Sequence, residues 1–126
     1  MIIRMGLDLI EIQRLRDIRA GVRDRFIHRV YTPAEITESE GREEYLAGRF
    51  AAKEAVAKAL GCGIGPVRWQ DIEITTAKLG APQVTLYGAA KTLAATLGIH
   101  SWSISISHTA STAAASVVGW GQGEPA

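Results

Sequence analysis

The chain has 126 residues, 47% of them hydrophobic and 21% charged, with a formal net charge of +1. These values describe one soluble globular domain long enough for a real core, and the near-neutral balance asks for neither nucleic acid nor a membrane surface. The single Cys62 excludes an intramolecular disulfide and a cysteine-rich metal site, no stretch approaches the ~18 apolar residues of a membrane span, and no apolar run has signal-peptide length, so a cytoplasmic protein is expected.

Residues 2–7 are β-branched or apolar apart from Arg4 and then break at Gly6, Leu7 and Asp8, which predicts a first strand ending near Asp8. Short helices are expected over 11–19 and 22–30. Thr32, Pro33 and Glu35 mark a helix start: Thr as N-cap, Pro at the first helical position, Glu at the third. That helix runs to about 39, and a long one follows from about 43 to 60. Gly61 sits where a left-handed C-cap belongs, and Gly61, Gly63 and Gly65 punctuate a loop closed by Pro66. Residues 71–77 and 83–87 read as strands joined by the turn KLGAP, a hairpin. Residues 88–97 are Ala-rich, with Leu93 and Leu97 spaced i, i+4, and form a short helix ended by Gly98. SWSISISH alternates strictly, with Trp102, Ile104, Ile106 and His108 on one face and serines on the other. A turn at 109–111 leads into a last strand, TAAASVVGW. The predicted class is α+β: an antiparallel sheet packed against a long central helix and shorter helices, one domain over 1–120 with a flexible tail over 121–126.

The long helix is the most informative segment. From Leu46 to Leu60 its only charged residues are Arg49, Lys53, Glu54 and Lys58. At about 100° per residue, Arg49 and Lys53 share one edge and Glu54 and Lys58 another, roughly 140° away. A helix apolar nearly all round should be buried, and charges on it need partners. Three cations cannot be satisfied by one carboxylate, which points to a bound anion. Glu54 and Lys58 are also spaced for an ordinary i, i+4 salt bridge. The small apolar surroundings favour instead a site for Mg²⁺ plus phosphate, because Mg²⁺ takes one or two protein carboxylates and completes its octahedron with phosphate oxygens and water. Asp8 and Glu54 would supply the two carboxylates, with Arg49, Lys53 and Lys58 offsetting phosphate charge. Glycines 61, 63 and 65 would let backbone approach a ligand, although their spacing fits neither the dinucleotide-binding nor the P-loop pattern.

Other candidates each have a plainer reading. Asp8 serves equally well as a turn initiator, and Glu11 would share its side if a helix began there. His108 precedes a turn Thr and suits a structural role as well as a ligand-binding one; His28 and His100 carry no pattern. Residues 14–29 hold six arginines (14, 16, 19, 23, 25 and 29) against two aspartates, with Phe26 among them. Such a patch is either a solvated helical face or a surface for an acidic partner.

In this order these pieces resemble the small bacterial 4′-phosphopantetheinyl transferases of the holo-[acyl-carrier-protein] synthase type. The likeness is carried by GLDLIEIQR at 6–14, RFIHRVYTPAE at 25–35, GRFAAKEAVAKALG with its G-x-G continuation at 48–65, and ISHT at 106–109. It spans Gly6 to about Val118 with no departure at a charged motif position. The resemblance implies transfer of 4′-phosphopantetheine from coenzyme A to a serine of apo acyl carrier protein, releasing adenosine 3′,5′-bisphosphate. It implies that Asp8 and Glu54 bind Mg²⁺ with the coenzyme A pyrophosphate and that Lys58 lies near the phosphates. Arg49, His108 and Thr109 match residues that bind coenzyme A, including its 3′-phosphate. Arg14 and the basic helix after it, with Arg25, Phe26 and Arg29, match the surface that meets the carrier protein. The family also implies a homotrimer with active sites between subunits.

Asp8, Glu54 and Lys58 are therefore the expected catalytic residues. Arg49, Lys53, Lys58, Gly61, Gly63, Gly65, His108 and Thr109 are the expected coenzyme A-binding set. Lys53 is the loose end, serving a phosphate, a neighbouring subunit or a local carboxylate. The serine proton is expected to pass to a water held by Mg²⁺ or Glu54 rather than directly to histidine. Three rivals remain: a non-catalytic coenzyme A or nucleotide-binding regulator, a Mg²⁺-dependent phosphodiesterase, and a nucleic-acid-binding module built on the arginines. A regulator gains nothing from a second carboxylate, a phosphodiesterase usually carries more acids, and near-neutral charge without an aromatic stacking face argues against nucleic acid.

Overall fold

The computed structural model describes residues 1–125. Ten elements follow one another: β1 (Ile2–Glu11), α1 (Gln13–Arg16), α2 (Ala20–Val30), α3 (Pro33–Ser39), α4 (Glu43–Leu60), β2 (Ile72–Thr76), β3 (Pro82–Leu86), α5 (Gly88–Leu97), β4 (Ser101–His108) and β5 (Thr112–Gly121). A single 3-10 turn, Trp69–Asp71, leads into β2. The architecture is α+β, as predicted. One antiparallel sheet has the order β1-β5-β4, and β2 and β3 form a separate hairpin.

Helix α4 lies on the inner face of the three-stranded sheet, and small residues set how close it comes. A Cβ added at Gly6 would stand 1.8 Å from the Ala55 carbonyl oxygen, and one at Gly48 would stand 2.8 Å from Ile106 Cγ2. Ala47, Ala51, Ala52, Ala55 and Ala59 are fully buried. Ala113, Ala115 and Val117 of β5 are buried on the facing side of the sheet. The expectation that an apolar-all-round helix is buried is met.

Both helix ends follow the sequence signals. Thr32 and Glu35 close a capping box with Pro33 in the first turn of α3. Gly61 caps α4 with a left-handed φ of 77°. Several expectations change. β1 does not stop near Asp8: β5 pairs with it as far as Glu11 opposite Thr112, so Asp8 is mid-strand, opposite Ala115. Because β1 takes Glu11, the helix expected over 11–19 shrinks to the single turn of α1, and strand alternation puts Glu11 on the face opposite Asp8. Helix α2 begins two residues early, at Ala20. At the other end, Gly121 is still in β5 and the Gly123 N–H donates to the Gly98 carbonyl, inside the stretch expected to be a tail. The last residue, 126, lies outside the described residues.

The outer face of the sheet is apolar along β1. Ile3, Met5, Leu7 and Leu9 are 61%, 72%, 61% and 65% exposed, and the register sets Ile3 opposite Trp120 and Met5 opposite Val118. Among the described residues no helix is long and apolar enough to cross a membrane.

Candidate active site

Asp8 and Glu54 share a cleft of roughly 410 Å³ whose walls are mostly apolar: Leu9, Ile10, Leu15, Ile18, Phe26 and Phe50, with Arg14 at the rim. β1 supplies Asp8 from its inner face, and α4 supplies Glu54 from the edge that passes over that strand. The Gly6–Ala55 contact brings strand and helix together immediately beside them. Lys58, one helical turn on from Glu54, turns to β1, where its Nζ donates to the Leu7 carbonyl at 2.9 Å and to Asp8 Oδ1 at 3.0 Å. The helical neighbours Glu54 and Lys58 thus do not form the simple pair that their spacing permits; Lys58 pairs with Asp8.

Burial pushes the Glu54 carboxyl above the ordinary glutamate range, and the Asp8 charge pushes it further, while Lys58 pulls it back. Two carboxylates stand in a cleft with apolar walls; half-exposed Lys58 pairs with Asp8, Arg14 lies at the rim, and among the described residues Glu54 has no paired cation. The balance differs from that expected from the helix alone. There, three cations outnumbered one acid; in the fold, Lys53 has Glu35, Lys58 has Asp8, and Arg49 has its own partners. What remains unmatched is a carboxylate, which calls for a cation, with phosphate following the cation.

Lys53 is the clear correction. Its side chain is fully buried, pairs with Glu35 Oε1 at 2.8 Å, and donates to the carbonyls of Trp69, at 3.0 Å, and Ile72. Burial lowers its ammonium below the usual lysine value and the adjacent Glu35 carboxylate raises it again. Facing the interior with all three donors engaged, it has no route to a coenzyme A phosphate. The local carboxylate, one of its three expected readings, is the one realised.

The remaining expected site residues are spread over the surface. Arg49 stacks 3.9 Å over the Tyr45 ring and donates to Thr76 Oγ1 at 2.9 Å and the Ile74 carbonyl at 3.4 Å. His108 and Thr109, exposed at the β4–β5 turn, line another cavity of about 440 Å³ with Arg16 and Glu44. Gly65 joins Arg29, Arg68 and Trp69 around a third, of about 350 Å³. Gly61 and Gly63 hold left-handed φ values of 77° and 67° in the loop after α4. Arg14, Arg25 and Arg29 are exposed along α1 and α2, whereas Arg23 donates to the Leu15 carbonyl and Arg16 pairs with Glu43, so the basic patch is smaller than the sequence suggested. One chain therefore brings together Asp8, Glu54, Lys58, Arg14 and Phe26, and leaves Arg49, His108 and Thr109 apart from them.

Sequence reasoning missed the apolar wall. Phe50 stacks between Phe26, at 6.1 Å, and Trp69, at 4.8 Å, and so ties α2, α4 and the 3-10 turn into one side of the cleft. The signal was present, since Phe50 precedes Glu54 by one helical turn and falls in the sector between the charged edges. Glu35 was read only as a cap; its second function, holding Lys53, has no local sequence signal.

Among the described residues no three His, Cys, Asp or Glu side chains gather into a metal site. Asp8 and Glu54 are a donor set of the size that Mg²⁺ uses when phosphate and water complete its shell.

Comparison with known proteins places the chain in a family. The family model described as the 4′-phosphopantetheinyl transferase superfamily matches residues 4–117. The chain is 44% identical over 123 residues to the holo-[acyl-carrier-protein] synthase of Natranaerobius thermophilus, covering 95% of this chain and 98% of that one. It is 48% identical over 114 residues to the synthase of Moorella thermoacetica, covering 87% and 88%. The crystal structure of the Helicobacter pylori holo-[acyl-carrier-protein] synthase in complex with coenzyme A superposes with a TM-score of 0.83 at 35% identity, covering 92% of this chain and 99% of that one. With its fold and nearly its whole length shared, the chain belongs to the 4′-phosphopantetheinyl transferase superfamily and, within it, to the holo-[acyl-carrier-protein] synthases, which are transferases.

Proposed function

We propose that this chain transfers 4′-phosphopantetheine from coenzyme A to a serine of apo acyl carrier protein in the cytoplasm, with Mg²⁺ held by Asp8 and Glu54, and releases adenosine 3′,5′-bisphosphate. The observation that carries the reading is the Asp8–Glu54 pair in a largely apolar cleft, with Lys58 paired to Asp8 and Glu54 left without a paired cation among the described residues. Mg²⁺, when bound there, supplies charge neutralisation and polarisation of the pyrophosphate.

The chain's own residues account for the rest. The serine Oγ forms a bond to the phosphorus that carries pantetheine, and the bond from that phosphorus to the bridging oxygen breaks, leaving the bisphosphate. Such a transfer depends on position and charge rather than on a covalent enzyme intermediate. Lys58, half exposed beside Asp8, neutralises charge building on the transferred phosphate. A water held against Glu54 takes the serine proton. Leu15, Ile18, Phe26 and Phe50 exclude bulk water and give the pantetheine arm and the carrier an apolar surface. Arg14, Arg25 and Arg29, all exposed, face the acidic carrier, while Arg49, His108, Thr109 and the loop bearing Gly61, Gly63 and Gly65 serve coenzyme A.

A homotrimer with active sites between subunits fits the surface of the chain. Four large side chains exposed in a row on β1 are the kind of patch that monomers avoid. A closed ring of heterologous contacts would cover that face and bring one subunit's His108–Thr109 turn to another's Asp8–Glu54 cleft.

The test is direct. The protein is incubated with coenzyme A, Mg²⁺ and apo acyl carrier protein, and the carrier is weighed by mass spectrometry. The carrier gains one phosphopantetheine group; consumption of coenzyme A without a change in the carrier would point to a hydrolase, and binding without turnover to a regulator.

A further inference from the structure

Helix α4 rests on the sheet largely through small residues, with the closest approaches at Gly6 and Gly48. Polar anchors hold it as well: Lys58 Nζ donates to the Leu7 carbonyl and Asp8 Oδ1 of β1, and Arg49 donates to Thr76 Oγ1 of β2. Tyr31 Oη donates to the Leu46 carbonyl at 2.6 Å near its start, and Arg4 Nε donates to the Ala59 carbonyl at 2.9 Å near its end. Both act on backbone oxygens at the helix termini. Lys53 differs from the other anchors in being fully buried, in the middle of the helix and the immediate neighbour of Glu54. Its oxygen partners come from three places: Glu35 on α3, Trp69 in the 3-10 turn and Ile72 at the start of β2. Those partners are themselves fixed. Glu35 Oε1 also accepts from the Thr32 N–H at 2.8 Å, and its Oε2 from the Ile74 N–H at 2.7 Å. Trp69 is stacked at 4.8 Å on Phe50, which lines the cleft.

Rotation matters because of a lever. Turning α4 by about 20° would carry a carboxylate standing ~5 Å from the helix axis through about 2 Å. A Mg²⁺ octahedron accepts oxygens only near about 2.0–2.1 Å. The Lys53 ammonium, saturated by three fixed oxygens, opposes such a turn.

We propose that Lys53 is a positioning residue for the transfer reaction: its buried link to Glu35, Trp69 and Ile72 sets the rotation of α4, and so aims Glu54 at Asp8 and holds Phe50 in the cleft wall. It touches neither substrate nor metal. The inference rests on the reading of the Asp8–Glu54 pair as the Mg²⁺ and coenzyme A site.

The test uses full-length Lys53→Met and the charge-free double variant Lys53→Met with Glu35→Met. Each is first shown to be folded and to have the wild-type oligomeric state. Coenzyme A is then titrated calorimetrically at increasing Mg²⁺, and turnover of apo carrier protein is measured. The double variant removes the uncompensated buried charge and is expected to recover thermal stability. Mg²⁺-dependent coenzyme A binding should stay weaker by about 10- to 100-fold, as for loss of a group that orients a metal ligand. Turnover at saturating substrate should fall by up to about 100-fold. A purely structural role predicts the same recovery of stability in the double variant but wild-type Mg²⁺ dependence and turnover in whatever folds; that result overturns the proposal. Failure of both variants to fold also overturns it, because the pair would then be a requirement of the whole fold rather than of the aim of Glu54. Wild-type protein that binds coenzyme A without any response to Mg²⁺ would instead overturn the reading on which the inference rests, and the inference with it.

Discussion

Lys53 and Lys58 stand on one helix, and each reaches a carboxylate on another element. Yet the Lys53–Glu35 side chains are both 0% exposed, whereas those of Lys58 and Asp8 are 52% and 19% exposed. On the closed side every ammonium proton and both carboxylate oxygens have a partner. Three oxygens surround Lys53, and Glu35 accepts from two backbone N–H groups besides. On the open side Lys58 has two partners, and among the described residues nothing donates to Glu54. Saturation makes the first pair a fastening. Incompleteness makes the second a site, since a half-compensated pair of carboxylates has affinity left for a ligand. A sequence shows both lysines as charges on a buried helix; only their surroundings separate scaffold from chemistry.

The sharpest way to break this contrast is to remove the partner on the closed side. Glu35→Ala leaves a buried ammonium uncompensated and should cost about 3–5 kcal/mol of stability, read as a shift in the denaturation midpoint. A loss under 1 kcal/mol would mean that water reaches Lys53 and that the two sides are alike. On the open side the cost should fall on activity. Asp8→Ala and Glu54→Ala should each lower transfer to the carrier by at least ~100-fold with the fold intact by circular dichroism. Lys58→Ala should follow with a smaller kinetic loss, about 10-fold, and a stability change below ~1 kcal/mol, because its pair is largely solvated.

The smallest effect carries the most specific sign. The Glu54 carboxyl is raised, first by burial and then by Asp8. Folding therefore favours its protonated form; that contribution is complete below the ordinary glutamate value and is lost as pH rises through the raised one. At neutral pH, without metal, ionised Glu54 burdens the fold. Glu54→Gln should slightly raise the melting temperature of the metal-free protein at neutral pH, and the gain should shrink as the solution is acidified. A gain that stays constant with pH would trace to packing rather than to charge.

Much of the fold was legible where the signal is local. The Thr32–Glu35 capping box, the Gly61 cap, the hairpin around Gly80 and the alternation of Trp102, Ile104 and Ile106 are each set within a few residues, and the elements appear where those signals put them. The errors are non-local. β1 continues past Asp8 because β5, which lies far along the chain, pairs with it to Glu11. Lys53 was misassigned because its partners lie on α3, in the 3-10 turn and at β2. The inner face of β1 carries Arg4, Gly6 and Asp8 while its outer face carries Ile3, Met5, Leu7 and Leu9. That inverted alternation is visible in the sequence, but it acquires meaning only once α4 is seen to cover the glycine side. Asp8 and Glu54 were paired through their motifs, and the fold sets them in one cleft, although no pattern of spacing links a strand residue to a helix residue so far along the chain.

The account stands or falls on whether the open pair is a metal and phosphate site. Coenzyme A titrated into wild type and Glu54→Gln, with and without Mg²⁺, tests this with no carrier protein present. Mg²⁺ should tighten coenzyme A binding by wild type at least about 10-fold and should scarcely alter binding by Glu54→Gln. Equal tightening in the two proteins would contradict the account, because the cation would then be acting without the carboxylate that the fold aims at it.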